Sequence, residues 1–265
     1  MYAIERKREI LRLLSQHSTL RVNFLAEHLD ASRETIRRDL TELQNEGLVK
    51  RIHGGVTANH ASLSTESQTL DIINESSLYP HIQDSDVKRK LCQKAASYIK
   101  PGDMIYVDNS STTIFLAECI PDGIDVTLIS NSIAFLTEAV KYQKPNITYV
   151  CLGGILTVNS LSTHGPMTVK DIEEYYPNKA FISCSGVSSI RSVTDSAIDD
   201  ATVKKHMIDR SFEVFLLADH TKFSQNGQVF LVPIDRLNYV ITDTLTQDID
   251  YTFLIDANVR IETSE

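Results

Sequence analysis

The chain has 265 residues, 42% of them hydrophobic and 23% charged, with a formal net charge of −9, an ordinary globular composition with room for two domains. No apolar run approaches the ~18 residues of a membrane helix, and "MYAIERKREIL" lacks the apolar core and cleavage site of a secretion signal. Cys92, Cys119, Cys151 and Cys184 lie far apart in sequence, which fits reduced thiols better than a disulfide framework; the expected location is the cytoplasm, with no membrane partner.

The charge is unevenly divided. Residues 1–55 hold ten Lys/Arg against eight Asp/Glu, a balance of +2, which leaves −11 on the rest of the chain. A mildly basic head on an acidic body suits nucleic acid only if the head makes the contacts.

Residues 4–15 repeat Ile10, Leu11, Leu13 and Leu14 between Arg6, Lys7, Arg8 and Arg12, the pattern of a helix with a basic outer face. Val22, Leu25, Ala26 and Leu29 follow at i, i+3, i+4, i+7, giving a second, two-turn helix. "DAS" breaks the pattern, Ser32 is a good N-cap, and Ile36, Leu40 and Leu43 mark the buried stripe of a third helix that Gly47 ends. Two short helices around a three-residue turn form a helix-turn-helix pattern. The face opposite Ile36 and Leu40 holds Glu34, Arg38, Thr41 and Asn45, with Thr35 and Arg37 on its flanks. Arginines there can grip guanine or a phosphate; a merely solvated face in which Glu34 pairs with Arg38 at i, i+4 has the same composition. "LVKRIHGGVTA" adds a strand, a turn at His53-Gly54-Gly55 and a second strand, with Lys50 and Arg51 beside the turn. Such a wing lays a basic edge along phosphates or the minor groove.

With "SRETIRRDL" followed by "RIHGG", residues 4–56 resemble the N-terminal domain of the DeoR family of bacterial repressors, whose signature joins an S-x-x-T-I-R-R-D-L recognition helix to an R-x-H-G-G wing. The resemblance implies binding to double-stranded operator DNA, with Ser32, Arg33, Thr35, Arg37, Arg38, Arg51 and His53 at the family's DNA-facing positions. Paired half-sites normally require at least a dimer, so the expected assembly is a homo-oligomer, a dimer or tetramer.

The expected domains are a winged helix-turn-helix over 1–56, a linker over 57–86 with at most one short helix, and a sensor over 87–265. Residues 87–99 read as a helix ended by Pro101-Gly102-Asp103. Beyond it "MIYVD", "DVTLIS", "ITYVCLGG", "AFISCSG", "VFLLADHT" and "YVITD" alternate with helical stretches, which argues for a mostly parallel sheet with helices on both faces. Polar clusters end these strands: Asp108 to Thr113, Ser130-Asn131-Ser132, Gly153-Gly154, Ser185-Gly186 and Asp219 to Lys222. Ligands bind at the carboxyl ends of open parallel sheets, and hydroxyls and free amides at a helix start suit an anion. Recurrence after successive strands points to a polyol phosphate.

Residues 87–243, roughly, resemble the DeoR C-terminal sensor domain, similar in fold to ribose-5-phosphate isomerase. The implied architecture is α/β, a winged helix-turn-helix followed by a Rossmann-like α/β/α sensor. Where the family usually has D-x-G-[ST]-T, this chain has Asp108, Asn109, Ser110, Ser111 and Thr112, with serine in place of glycine. That variant, with "FISCSG" and "SVTDSAIDDATVKKHMI", resembles the branch of the fucose and rhamnose operon repressors. The resemblance implies a repressor of a carbohydrate-catabolic operon, released by a phosphorylated sugar. Its effector positions are Asp108, Ser110, Ser111, Thr112, Thr113, Asn131, Gly153, Gly154, Lys204, Asp219 and Lys222.

Two readings of other classes stay open. An isomerase-like enzyme carrying a DNA-binding head would use Asp108, Asp219 and Lys222 as acid, base and charge stabiliser, although no nucleophile elbow, P-loop or dinucleotide fingerprint is present. A receiver-like domain would use Asp108 as phosphoacceptor beside Lys222. No cofactor is expected, and no metal, since C-x-x-C and H-x-x-x-H spacings are missing. His164, in "STHGPM", is the one histidine that a Gly-Pro turn can present to the sugar pocket.

Overall fold

A computed structural model describes residues 3–16, 20–29, 31–45, 49–52, 55–58 and 85–264, which belong to two units, Met1–Ser76 and Ser77–Glu265.

In the first unit, α1 (Ala3–Gln16), α2 (Val22–His28) and α3 (Arg33–Asn45) accompany β1 (Leu20–Arg21), β2 (Val49–Ile52) and β3 (Gly55–Ala58). The expected apolar stripes meet. Ile10, Leu13 and Leu14 bury against Leu25 and Leu29, and against Ile36, Leu40 and Leu43, with Val49 and Val56 of the wing closing the core. Ser32 starts α3, its Oγ accepting the Thr35 N–H at 3.1 Å, which satisfies one orphan amide of the first turn. The three strands lie in the order β1-β3-β2. Only glycine fits at Gly55, because a Cβ there would lie 2.5 Å from the Leu20 carbonyl oxygen. Asp39, within the R-R-D-L motif, faces inward and takes both Arg6 Nε at 2.5 Å and Arg6 Nη2 at 3.2 Å. The side-chain hydrogen bond to this carboxylate holds the Arg6 guanidinium above its ordinary pKa. Gly47, His53, Gly54 and residues 59–84, and with them most of the expected linker, lie outside the described residues.

The second unit opens with α4 (Ser85–Ala96), two residues ahead of the expected start, and its further α-helices are α5 (Leu116–Cys119), α6 (Ile133–Lys141), α7 (Pro166–Glu173), α8 (Ile198–Arg210) and α9 (Thr252–Asp256). Its strands are β4 (Met104–Val107), β5 (Val126–Ser130), β6 (Ile147–Cys151), β7 (Ile155–Thr157), β8 (Ser162–His164), β9 (Lys179–Ile182), β10 (Gly186–Ser188), β11 (Ser192–Asp195), β12 (Glu213–Leu217), β13 (Val229–Val232), β14 (Tyr239–Thr242) and β15 (Arg260–Thr263). Seven pair in parallel in the order β15-β14-β12-β9-β4-β5-β6. All six β-rich runs of the sequence are in this sheet. Alternation along β4 sends Ile105 and Val107 into one apolar layer, beneath α4 and α6 (Ile133–Lys141), and Tyr106 into the other, beneath α8 (Ile198–Arg210). Burial on both faces is what a parallel sheet requires.

The order of strands locates a crevice. The chain runs outward from β4 through β5 to β6, then returns to the other side of β4 and runs outward again from β9. Loops leaving β4 and β9 therefore diverge above the sheet, the topological switch point at which open α/β sheets bind ligands. Among the described residues no helix is long and apolar enough to cross a membrane, and all four cysteines are free.

Candidate functional site

Each unit has a polar concavity. On the head, a hollow of about 620 Å³ is lined by Ser32, Glu34, Thr35, Arg37, Arg38, Thr41 and Arg51. Packing of Ile36, Leu40 and Leu43 against the core forces these residues outward: Arg33, Arg37, Arg38 and Arg51 are all exposed. The wing meets the helix where Arg51 Nη1 approaches Thr41 Oγ1 at 3.4 Å. Glu34 does not pair with Arg38; it lies 3.6 Å from Arg37, and Arg38 has no carboxylate within ion-pair distance among the described residues. Its charge still acts on Glu42, one turn on, whose carboxylate is bound by Lys7 at 2.6 Å; an arginine projecting from an exposed helix face without an ion pair can take a phosphate or a base edge. Arg33 is exposed on the same helix without lining the hollow, and His53 lies outside the described residues.

In the body, a cavity of about 220 Å³ sits at the switch point. Asn109, Ser110, Ser111 and Thr112 enter from the loop after β4, and Ser183, Cys184 and Ser185 from the loop after β9. Asp195, Ser196, Asp200 and Lys204 come from the end of β11 and from α8, Lys88 from α4, and Lys222 from the turn after β12. Lys204 is its electrostatic anchor, 4% exposed, with Nζ 2.7 Å from Asp195 Oδ2, 3.2 Å from Asp108 Oδ2 and 3.1 Å from the Ser183 carbonyl. Burial alone would lower its pKa; the charges of Asp108 and Asp195 outweigh that and hold the proton. The buried Cys184 thiol is pushed up to about 12 by desolvation and stays protonated. Lys88 donates to Ser111 Oγ at 3.2 Å. Lys222 differs from Lys204 in having no carboxylate partner among the described residues.

The eleven expected effector positions divide. Ser110, Ser111, Thr112, Lys204 and Lys222 line the cavity. Asp108 is fully buried beneath it: one oxygen accepts the Ser110 N–H and the Thr113 hydroxyl, the other the Ser183 N–H and Lys204. A carboxylate so saturated and so deep is placed neither to move a substrate proton nor to accept a phosphoryl group, which removes the shared basis of the isomerase and receiver readings. Thr113 is buried in the same knot. Asn131 donates from Nδ2 to the Thr163 carbonyl at 2.9 Å. Gly153 gives its N–H to Asp171, and a Cβ on Gly154, at φ 135°, would lie 2.1 Å from Thr168 Oγ1; both serve the exit from β6. Asp219 caps the turn His220–Ser224, accepting the Thr221 N–H at 3.0 Å, and so sets Lys222 in place. His164 points to Asp199 at 3.6 Å rather than into the cavity. Ser110, the residue replacing the usual glycine, accepts the Thr113 N–H at 3.1 Å and caps the turn.

Residues 83–244 match the DeoR C terminal sensor domain and residues 6–62 match the DeoR-like helix-turn-helix domain. The chain belongs to the DeoR family. It is a DNA-binding transcriptional regulator with a C-terminal sensor domain. This DeoR-family chain is 32% identical to the HTH-type transcriptional regulator YulB of Bacillus subtilis, over 98% of its own length and 96% of that protein's. It is 30% identical to an L-fucose operon activator of Haemophilus influenzae, over 90% and 91% of the two chains. A ribose 5-phosphate isomerase A of Methanocaldococcus jannaschii overlays 53% of this chain and 55% of its own, at 21% identity and a TM-score of 0.39.

The DeoR-family cavity also holds Lys88, Ser183, Cys184, Asp195, Ser196 and Asp200, which sequence reading passed over, and Asn109 and Ser185, which it read only as members of strand-end polar clusters. Asn109 is the variable position of the D-x-S loop, and its Nδ2 donates to Asp200 Oδ1 at 2.8 Å and to Ser162 Oγ at 3.0 Å. The acidic run "SAIDDA" at the start of α8 was the available signal for Asp200, but acidic residues in a first turn also occur for the helix dipole alone. Among the described residues no group of three or more His, Cys, Asp or Glu is placed to hold a metal ion.

Proposed function

We propose that the protein represses a carbohydrate-catabolic operon in the cytoplasm and is released from its operator by a phosphorylated sugar held at the switch-point cavity. The observation that carries this reading is Lys222, a cation at a hydroxyl-lined cavity with no carboxylate partner among the described residues. A phosphate beside it meets the Ser111 and Thr112 hydroxyls and Lys88, while Asn109 and Asp200 supply the donor and acceptors that sugar hydroxyls need. Ser110 supports a place beside the fucose and rhamnose operon regulators. A relative is an L-fucose operon activator, so the direction of regulation is part of the test. On the head, Ser32, Thr35, Arg37, Arg38 and Arg51 meet the operator, joined by Arg33 and His53, and two heads on an oligomer match paired half-sites.

Calorimetry on the full chain, with aldose and ketose phosphates each beside its free sugar, tests the cavity. A hydrogen bond to a charged group contributes ~1.5–3 kcal/mol, so the ester should bind roughly ten- to a hundred-fold more tightly than its parent. Equal affinities would remove the phosphate from the reading.

A further inference from the structure

The β7–β8 hairpin exposes apolar surface that neither concavity uses. All three residues of β7 are exposed, Ile155 by 60% and Leu156 by 50%. An apolar strand with an open edge is a template for pairing. The outer edge of β8 is occupied: Thr163 gives its N–H to the Asn131 carbonyl at 2.8 Å and takes Asn131 Nδ2 on its own carbonyl. The outer edge of β7 has no strand beside it among the described residues.

Register decides what that edge offers. Thr163 opposes Leu156, and Thr163 turns both backbone groups away from β7, toward Asn131. Opposed residues of an antiparallel pair either both face inward or both face outward. Leu156 therefore turns its own N–H and C=O to the open edge.

Charge selects the occupant. From Pro145 to Val169 the chain carries no Lys, Arg, Asp or Glu, within a body whose formal charge is −11 beyond residue 55. Two copies of such a body repel over most of their surface and least where neither is charged. A donor and an acceptor on one outward-facing residue also complement themselves about a twofold axis.

We propose that β7 pairs antiparallel with β7 of a second copy, centred on Leu156, so that two hairpins form one four-stranded ribbon and the dimer carries two heads. This rests on the operator reading only for the use made of two heads; association itself needs no DNA.

Sedimentation of the full chain without DNA, over a concentration series, tests it with Leu156→Lys and Leu156→Pro, the second removing the outward N–H. The wild type should sediment as a dimer, or as a larger even-numbered oligomer, and both variants should dissociate at concentrations at least about ten-fold higher, with unchanged circular dichroism. Should either variant fail to fold, Leu156→Cys in a Cys151→Ser background should form a covalent dimer on mild oxidation, since a self-opposed pair places its Cα atoms about 5.5 Å apart. A dimeric wild type whose variants stay dimeric, or whose Leu156→Cys form does not cross-link, overturns pairing at β7 and leaves the two-headed operator reading intact. A wild type that is monomeric throughout overturns the pairing and gives the edge to another occupant; footprinting on paired against single half-sites then judges the operator reading separately.

Discussion

Head and body handle charge in opposite ways. The head buries the ion pair of Arg6 with Asp39 and turns Arg33, Arg37, Arg38 and Arg51 out to solvent from one helix and its wing. The body buries Lys204 between Asp108 and Asp195, and Lys179 against Asp103 at 2.6 Å, while Lys222 at the cavity has no carboxylate partner among the described residues. A surface arginine is carried by the apolar stripe beneath it and is separable from the fold; a buried lysine is part of the fold. Motif residues of one chemical type thus face solvent in one region and, at Lys204, form part of the architecture in the other.

The largest expected effect breaks the architectural side. Lys204→Met strands Asp108 and Asp195 inside the body, and removing one partner of a buried ion pair costs ~3–5 kcal/mol, read by denaturant unfolding. Because its folded pKa is raised, the Lys204 contribution is fully present below the ordinary value of 10.5 and is lost as pH rises through the folded value. Destabilisation by Lys204→Met should therefore be the same at neutral and mildly alkaline pH. Arg38→Ala should leave stability within ~0.5 kcal/mol and cost ~1–3 kcal/mol of operator affinity with relaxed discrimination at one base pair, if it reads a base. Arg51→Ala sharpens the contact side: its loss should weaken all DNA sequences alike and lower the salt slope by about one, measured by titration at several ionic strengths. The smallest change is at Thr112, whose hydroxyl has one long neighbour, Ser183 Oγ at 3.4 Å. Thr112→Val should preserve fold and operator affinity and weaken the ligand response by ~0.5–1.5 kcal/mol, seen as a shifted ligand midpoint.

The head was almost wholly legible because its signals are local. Apolar spacing within each helix and the Ser32 cap place α1, α2 and α3, whereas β1 is two residues long and exists only as a partner for β3. Six parallel strands were visible as β-rich runs. β15, "RIET", has a single aliphatic residue, and β7 is exposed on both faces, so neither alternates as a half-buried strand does. In the cavity the β4 loop, Lys204 and Lys222 were legible as motif positions. Lys88, Asp195 and Asp200 come from other elements, and nothing local in sequence ties Asp200 to Asn109, 91 residues away. Asp108 and Asp219 are acids at strand ends whose direction sequence does not encode; one turns down onto Lys204 and the other back onto its own turn.

The most direct measurement is titration of the operator fragment with the full chain, with and without the sugar phosphate that calorimetry finds to bind. Ligand changes operator affinity only if it binds two states of the protein unequally, and a coupling of ~1–3 kcal/mol weakens operator binding 5- to 150-fold. Weakening of that size, reduced in Thr112→Val and retained in Arg38→Ala against its own weaker baseline, is the expected result. Operator affinity that does not change with saturating ligand, or that rises, would contradict release by a sugar phosphate at the switch-point cavity.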